Sequence, residues 1–243
     1  MPSQIYMGVD ARRDHSMRIP RPDLSLSTGS PNACNQCHTE ESADWAYSAL
    51  LDWGVRFTGQ RNHPARAFHA ADRGDVRAIP VLLETANNQA NSALLRASAI
   101  SHLNSLIPAR TASYLSLWLS SSDPLIRQAA VEAAGHLPPE QRLRILTPVL
   151  EDPVLGVRMT TAEQLAGLPA AKLSTQAERV AALNQEYREA QSQHLDMPSI
   201  LAQFSRFQLA QGETQAAETG LLSALKKNPQ SSVARVNLAD LYR

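Results

Sequence analysis

Cysteine is nearly absent from this chain of 243 residues, in which Cys34 and Cys37 are the only two. Two cysteines exclude the framework of several disulfides that many small secreted domains use in place of a core. Aromatic residues are also scarce, at 5% of the chain, and strand-like alternation of Val, Ile and Tyr is hard to find beyond residue 40. These absences argue against a β fold.

An excess of either charge is lacking as well. Lys plus Arg and Asp plus Glu number 23 each, so the formal net charge is zero. This balance removes the usual electrostatic reason to expect nucleic acid or an anionic membrane as a partner. No apolar run approaches the roughly 18–20 residues that span a bilayer, and the N-terminus shows no basic and apolar secretory signal. We therefore expect no nucleic-acid partner and no membrane span in this chain.

Ala and Leu, by contrast, are abundant, and beyond residue 40 the pattern is typical of successive helices of about 10–14 residues. Residues 1–40 differ, because Pro20, Pro22, Pro31 and Gly29 interrupt them. Such a segment is predicted to form no helix and to run extended or in turns. The predicted fold class is all-α, with an irregular N-terminal segment followed by an α-solenoid.

A repeat is visible between residues 75 and 170, where Arg96, Arg127 and Arg158 are spaced 31 residues apart. Ten residues after each arginine comes a leucine, with a proline close behind: Leu106, Leu137 and Leu168, then Pro108, Pro138 and Pro169. Asp-Pro pairs begin at Asp123 and Asp152, where each predicts a helix N-cap followed by a proline at the first helical position. A period of this size indicates stacked pairs of short helices.

The repeat resembles HEAT repeats of a short, roughly 31-residue kind. We assign residues 57–171 to HEAT-like repeats, with 63–85 as a degenerate cap, and residues 172–243 to tetratricopeptide repeats. The tetratricopeptide positions are Leu201, Phe204, Gly212, Ala217, Leu221, Ala224 and Pro229, and a further copy begins with Asn237, Leu238, Ala239 and Tyr242. Because the chain stops inside that copy, we expect it to be a fragment.

The remaining domain, residues 1–56, contains both cysteines in the pentad Cys34–His38, which reads Cys-Asn-Gln-Cys-His. Cys-X-X-Cys-His is the attachment signature of c-type haem. Two thiols at this spacing can each bond one of two vinyl groups, and the adjacent histidine can bind the iron. We predict covalent haem c, with Cys34 and Cys37 as its thioether ligands and His38 as the proximal ligand of the iron.

Three alternatives to haem remain open for the cysteine pair. A zinc site of the common kind would need a second pair of ligands, and His63 and His69 are six residues apart, which is too wide for that pattern. A thioredoxin-type dithiol would need a βαβ context, which the sequence does not show. A disulfide would close a very small loop and stabilise little beyond it.

A six-coordinate haem needs a distal ligand, normally His or Met. The candidates are His15, His63, His69, His102, His136, His194, Met7 and Met17. We expect His102 and His136 to lie inside repeat helices with structural or surface roles, whereas His15 lies in the proline-rich segment that leads to the pentad. Nearby arginines either pair with haem propionates or are solvated: Arg12, Arg13, Arg18 and Arg21.

The segments "YMGVDARRDHSMRIPRPDLS", "GSPNACNQCH" and "ADWA" together resemble the C-terminal haem segment of bacterial multihaem c-type cytochromes that carry HEAT and tetratricopeptide repeats. "ARVNLADLYR" is similar to the tetratricopeptide part of those proteins. The resemblance implies that His15 is a haem ligand, of this haem or of an upstream one. It also implies export to the periplasm, with a signal peptide and further haems outside this chain.

These observations predict a fragment of a periplasmic c-type cytochrome that transfers electrons through covalent haem. The repeats would dock a redox partner protein or a neighbouring haem domain. An electron carrier is expected rather than a catalyst, and a multihaem enzyme has little support in the residues. The alternative is a non-redox scaffold of HEAT and tetratricopeptide repeats whose haem motif is unloaded.

Overall fold

Helices form most of the chain in the computed structural model, which describes residues 3–6, 10–13, 20–57, 63–106 and 111–243. The all-α prediction therefore holds at the level of fold class, with one addition. Strands β1 (Ser3–Tyr6) and β2 (Asp10–Arg13) form an antiparallel pair. The chain divides into two units, residues 1–85 and 86–243. The predicted domain boundaries after residues 56 and 171 stay predictions.

The first unit contains four helices among its described residues, the last of which runs two residues into the second unit. They are α1 (Pro22–Thr28), α2 (Ala43–Asp52), α3 (Pro64–Asp72) and α4 (Ile79–Asn87). Short 3-10 turns lie at Cys34–Gln36 and Val76–Ala78. The α3 and α4 pair occupies the segment predicted to be a degenerate repeat.

Helix α1 corrects the expectation that residues 1–40 form no helix. Pro22 occupies the first turn of α1, where a missing N–H costs nothing because that group has no partner within the helix. Gly29 ends the helix in the left-handed region, with φ 70°, and its N–H donates to Ser25 O at 2.8 Å. The proline and glycine of this segment therefore delimit a short helix instead of preventing one.

A buried ion pair anchors the first unit. Arg21 Nε and Nη2 donate to the two carboxylate oxygens of Asp23 at 2.7 and 2.8 Å. Arg66 on α3 donates to the backbone O of Asp23 at 3.2 Å, and the Arg21 guanidinium lies 5.8 Å from the Phe57 ring centre. Phe57 in turn stacks on Tyr47 of α2. One bidentate pair thus links α1, α2 and α3.

The second unit continues with short helices through to residue 241. They are α5 (Ala93–Leu106), α6 (Leu115–Leu119), α7 (Pro124–Ala134), α8 (Pro139–Leu146), α9 (Leu155–Leu165), α10 (Ala170–Leu173), α11 (Ala177–Ser192), α12 (Pro198–Ala210), α13 (Thr214–Lys227) and α14 (Ser232–Leu241). Helix α7 packs against α5, α6 and α9, α9 packs against α11, and α12 packs against α13. Each helix therefore buries its apolar face against near neighbours in the sequence, as a repeat array requires.

The repeated arginines connect successive repeats. Arg127 Nε and Nη2 bond the Asp152 carboxylate at 2.7 and 2.8 Å, and its Nη1 donates to Ser121 O at 2.8 Å. Arg158 makes the same set of contacts one repeat later, with the Glu186 carboxylate at 2.9 and 2.5 Å and with Asp152 O at 2.6 Å. Each arginine holds the loop before its own helix and an acidic residue of the following repeat.

The first arginine of the series makes a different contact, and the series continues with a fourth arginine that the spacing does not predict. Arg96 Nε donates to Ala86 O at 2.9 Å. Arg188, thirty residues after Arg158, bonds the carboxylate of Glu213 through Nη1 and Nη2. The inter-repeat arginine contact therefore continues into the segment predicted to be tetratricopeptide.

The two Asp-Pro pairs differ in outcome. Asp123 caps α7 as predicted, with its Oδ1 accepting from Leu125 N at 2.9 Å and Pro124 at the first helical position. The matching prediction for Asp152 is wrong, because α9 begins at Leu155. The Asp152 carboxylate accepts from Val154 N at 2.9 Å while it binds Arg127, so it holds the entry to the helix without being its N-cap.

The last helices lie where the tetratricopeptide pattern predicts helices. Gly212, with φ 81°, turns the chain between α12 and α13, and Ala217, Leu221 and Ala224 of α13 are fully buried. Pro229 lies in the turn before α14. The helix pairs are confirmed, and their assignment to the tetratricopeptide class stays a prediction.

Candidate functional site

The pentad Cys34–His38 forms a tight turn. The backbone N–H groups of Cys37 and His38 both donate to Cys34 O, at 3.2 and 2.9 Å. Asn32 closes the other side, since its Oδ1 accepts from Cys34 N at 3.0 Å and from Asn35 N at 3.2 Å. These local hydrogen bonds fix the backbone conformation that the two thiols share.

The turn is also tied to helix α2. Asn35 Nδ2 donates to Glu41 O at 2.6 Å, one residue before the N-cap of α2. That cap is Ser42, whose Oγ accepts from Trp45 N at 3.1 Å. The His38 ring lies 4.8 Å from the Trp45 ring, centre to centre, with a tilt of 45°. The pentad turn and the first turn of α2 therefore form one local structure.

The side chains of Cys34, Cys37 and His38 line a small cavity of about 220 Å³ with mainly apolar walls. Its lining residues are Ala33, Cys34, Cys37, His38, Trp45, Ala46, Ala49, Leu50 and Trp53. Both thiols are free, Cys34 half-buried and Cys37 exposed. Trp45 and Trp53 are 37% and 77% exposed, respectively. Two nucleophilic sulfurs and an imidazole thus meet at one apolar, solvent-open place.

The residues present fit the attachment of one edge of a haem. The cavity is smaller than the roughly 300–1,000 Å³ of pockets that enclose a drug-sized ligand, so most of a porphyrin would lie outside it. Within the described residues, no group of three or more His, Cys, Asp or Glu side chains is arranged to hold a metal ion. Structural zinc asks for four such ligands, whereas haem brings its own nitrogens and asks the chain for axial ligands.

The predicted distal ligand His15, and with it Met7 and Met17, lies outside the described residues. His63 caps α3, with its Nδ1 accepting from Ala65 N at 3.2 Å. Burial, with the positive charge of Arg21 adding to it, lowers the pKa of His63 below its ordinary value. A neutral ring that accepts at Nδ1 carries its proton on Nε2, so His63 would have to leave its cap to bind iron through Nε2.

Three candidate histidines belong to the second unit. His102 lies within α5, as predicted. His136 does not lie inside a helix, because α7 ends at Ala134, and it is exposed in the turn that follows. His194 is likewise exposed after the end of α11. His69 lies on α3 in the first unit.

The arginines proposed to pair with propionates also differ from one another. Arg21 is committed to Asp23, and this hydrogen-bonded pair lowers the pKa of the Asp23 carboxyl below its usual value. Arg12 and Arg13 are exposed on β2, with Arg12 Nη2 at 3.3 Å from an Asp10 carboxylate oxygen. Arg18 lies outside the described residues. A propionate role for Arg21 would compete with an interaction that anchors the first unit.

Sequence reasoning missed the residues that support the pentad. Asn32 and Asn35 fix its turn, Ser42 caps the following helix, and Trp45 and Trp53 form cavity walls. Two signals were available. A serine followed by an acidic first turn predicts the start of a helix, and tryptophans eight residues apart predict side chains on one face of it.

Comparison with known proteins supports the repeat part of the chain. A family model described as HEAT repeats matches residues 79–166, which run from the start of α4 to just past α9. No curated protein and no solved structure gives a match. Among the described residues, no helix is long and apolar enough to cross a membrane. Because HEAT repeats stack into extended binding surfaces, the match indicates protein–protein contacts for this region.

Proposed function

We propose that the chain is an exported, periplasmic c-type cytochrome that transfers electrons through haem bound at Cys34, Cys37 and His38. The observation that carries the proposal is that all three side chains line one apolar cavity. The pentad's spacing and the resemblance to multihaem cytochromes support it further. The HEAT-repeat region would supply the surface that docks a redox partner or a neighbouring haem domain.

Each pentad residue has a defined role in this proposal. The thiols of Cys34 and Cys37 would add their S–H groups across two vinyl double bonds, which forms two thioethers and needs no oxidant. His38 would be the proximal ligand, and Asn32 and Asn35 would hold the turn in place. When bound, haem supplies one-electron exchange between Fe(II) and Fe(III). Two axial ligands would leave no open position for a substrate, which favours electron transfer over catalysis.

Haem attachment is tested by maturation in a suitable host. The chain is expressed with a signal peptide in bacteria that carry the c-type maturation machinery, beside the variant Cys34→Ser/Cys37→Ser. The wild-type protein should gain the mass of one haem and show a sharp Soret band, with α and β bands on reduction. The double variant should stay colourless. A colourless wild-type protein of unmodified mass, from cells that mature another c-type cytochrome, would reject the proposal.

The distal ligand is tested separately on the loaded protein. His15→Ala should convert a six-coordinate, low-spin spectrum to a high-spin one. His63→Ala is the matched control and should leave the spectrum low-spin, because His63 is engaged as the cap of α3. A spectrum unchanged by His15→Ala would remove His15 as the ligand of this haem.

A non-redox interaction scaffold is the second candidate, favoured by the HEAT-repeat match over residues 79–166. The same maturation experiment separates the two proposals. A folded, helical protein that stays unmodified when the host is competent would make the repeats the functional part of the chain.

A further inference from the structure

Helix α2 presents two different faces. Ala46 and Leu50 are buried, at 1% and 7% exposure, and they also line the pentad cavity. Trp45 and Ala49 of α2, with Trp53 directly after its last residue, follow a neighbouring stripe at four-residue spacing that lines the same cavity. The helix therefore packs one stripe into the first unit and leaves an aromatic stripe beside Cys34, Cys37 and His38.

The exposure of this aromatic stripe is unusual within the molecule. Trp53 is 77% exposed and Trp45 is 37% exposed, whereas Trp118, the chain's other tryptophan, is 1% exposed and donates from Nε1 to Asn87 Oδ1 at 3.0 Å. Tryptophan carries a large apolar surface whose burial stabilises a protein, and exposed clusters of such surface mark places where something binds. The pentad cavity lies beside the two rings.

We propose that Trp45 and Trp53 form the wall against which the haem of this chain packs, and that Trp45 positions the His38 imidazole. The inference rests on the proposed function, since haem is its occupant. A group bonded to Cys34 and Cys37 would have its attached edge held at the cavity that these tryptophans line. Trp45 already contacts the His38 ring, at 4.8 Å between centres, so it restricts the rotation of that ring.

The chemistry of the lining selects this occupant over a peptide. The nine residues around the cavity include no Asp, Glu, Lys or Arg. A peptide would bring backbone N–H and C=O groups, and this lining offers them few hydrogen-bond partners. Burial of unpaired polar groups is costly. The porphyrin ring of haem is flat and apolar, so it needs only aromatic and aliphatic surface along its face and edge.

Whether haem covers Trp45 and Trp53 is tested by hydroxyl-radical footprinting with peptide mass spectrometry. The haem-loaded protein is compared with Cys34→Ser/Cys37→Ser. Oxidation of Trp53 and Trp45 should fall at least threefold on loading. Val76, which is 58% exposed and does not line the cavity, is the control and should not change. Equal oxidation of Trp53 in a protein shown by mass to carry haem would overturn the inference and leave the proposed function standing.

The positioning role of Trp45 is tested by NMR of the ferric, loaded protein. The hyperfine shifts of the haem methyl protons report the orientation of the proximal imidazole. Trp45→Ala should change their order or spread, and Trp45→Phe, which keeps a ring against His38, should restore it. A spectrum unaltered by Trp45→Ala would remove the positioning role.

Removal of Trp53 gives a third, independent readout. The ferric state carries one more positive charge than the ferrous state, so water admitted by Trp53→Ala should favour Fe(III) and lower the reduction potential. A tenfold shift in the Fe(III)/Fe(II) equilibrium, which is 59 mV for one electron, is the expected size. An unchanged reduction potential in Trp53→Ala would count against the proposal that Trp53 packs against the haem. If the wild-type chain takes up no haem at all, this inference falls together with the proposed function.

Discussion

The two units use tryptophan in opposite ways. In the repeat unit Trp118 is enclosed by neighbouring helices and its indole N–H has a partner in Asn87. In the first unit Trp45 and Trp53 remain at the surface beside the pentad. A repeat array buries large side chains by stacking its own helices. The first unit lacks that stacking around its pentad, so its aromatic surface is available to a ligand.

The two units also differ in the range of their ion pairs. Arg21 and Asp23, in the first unit, are two residues apart. Arg127 and Asp152 are 25 residues apart in the repeat unit, and Arg158 and Glu186 are 28 residues apart. This ion pair of the first unit is thus local in sequence, whereas these two of the second unit join successive repeats. How each unit is held together is tested by the following predictions, from the largest expected effect to the smallest.

The largest effect is expected from truncation of the buried tryptophan. Trp118→Ala should lower the free energy of unfolding of the repeat unit by about 3–5 kcal/mol, because it leaves a cavity and an unpaired Asn87. Trp53→Ala, in the haem-free Cys34→Ser/Cys37→Ser background, is the matched comparison and should cost less than about 1 kcal/mol. Urea denaturation followed by far-UV circular dichroism measures both. Equal losses of unfolding free energy in Trp118→Ala and Trp53→Ala would contradict the difference between the two units in their use of tryptophan.

The next effect concerns the inter-repeat ion pair. Asp152→Asn should cost roughly 3 kcal/mol, because it leaves the buried guanidinium of Arg127 without its carboxylate. The side chains of Arg127 and Asp152 are only 11% and 4% exposed. Lys172→Met is the control, since it removes an exposed pair with Glu140 and should cost under about 1 kcal/mol. A small loss for Asp152→Asn would mean that the arginine series does not hold the repeats together.

The same pair predicts a dependence of stability on pH. Burial alone would raise the pKa of the Asp152 carboxyl, but the hydrogen bonds from Arg127 and Val154 outweigh it and lower the pKa below the ordinary value. The carboxylate therefore stabilises the fold fully above the unfolded pKa of about 3.9, and this contribution is lost as the pH falls through the lower folded value. The wild-type protein should lose more stability than Asp152→Asn between pH 5 and the acid limit of folding.

The arginine contacts of the repeat unit show which parts of the fold the sequence predicts and which it does not. The 31-residue spacing of Arg96, Arg127 and Arg158 is enough to predict the repeats, and Arg127 and Arg158 each join one repeat to the next. Arg188 was missed because its spacing is 30 and it lies beyond the recognised repeat. The start of α9 was misplaced because an Asp-Pro pair carries the same local signal at both sites. Only the tertiary contact of Asp152 with Arg127 distinguishes them.

The candidate site was predicted in part for a similar reason. The spacing of Cys34, Cys37 and His38 is a local pattern, and the structure brings those side chains to one cavity. The exposure of Trp45 and Trp53 is a tertiary property, and periodicity alone does not separate a face that packs inward from one that a ligand covers. The support that Asn35 gives, by reaching Glu41 O, depends on the path of the turn.

A third, smaller effect is expected where two helices of the repeat unit cross. A Cβ on Gly220 of α13 would lie 2.1 Å from Ser205 Oγ of α12, and Ser205 is fully buried. Gly220→Ala should therefore cost about 1–3 kcal/mol through overpacking. The double variant Ser205→Ala/Gly220→Ala removes the clashing hydroxyl and should recover most of the loss. A double-mutant cycle with no coupling energy would show that α12 and α13 do not approach as closely as the structure indicates.

The smallest effect compares one helix cap in each unit. Ser42 caps α2 through a bond from Trp45 N, and Asp123 caps α7 through a bond from Leu125 N. Replacement of either residue by alanine should cost about 1 kcal/mol, and replacement by glycine only a few tenths. Because Ser42 also begins the helix that carries Trp45, which contacts His38, Ser42→Ala should in addition raise hydrogen exchange at the amides of Cys37 and His38. Asp123→Ala should leave those amides unchanged. Equal exchange at the pentad amides in both variants would show that the pentad turn does not depend on helix α2. It would contradict the local coupling that we infer between the two.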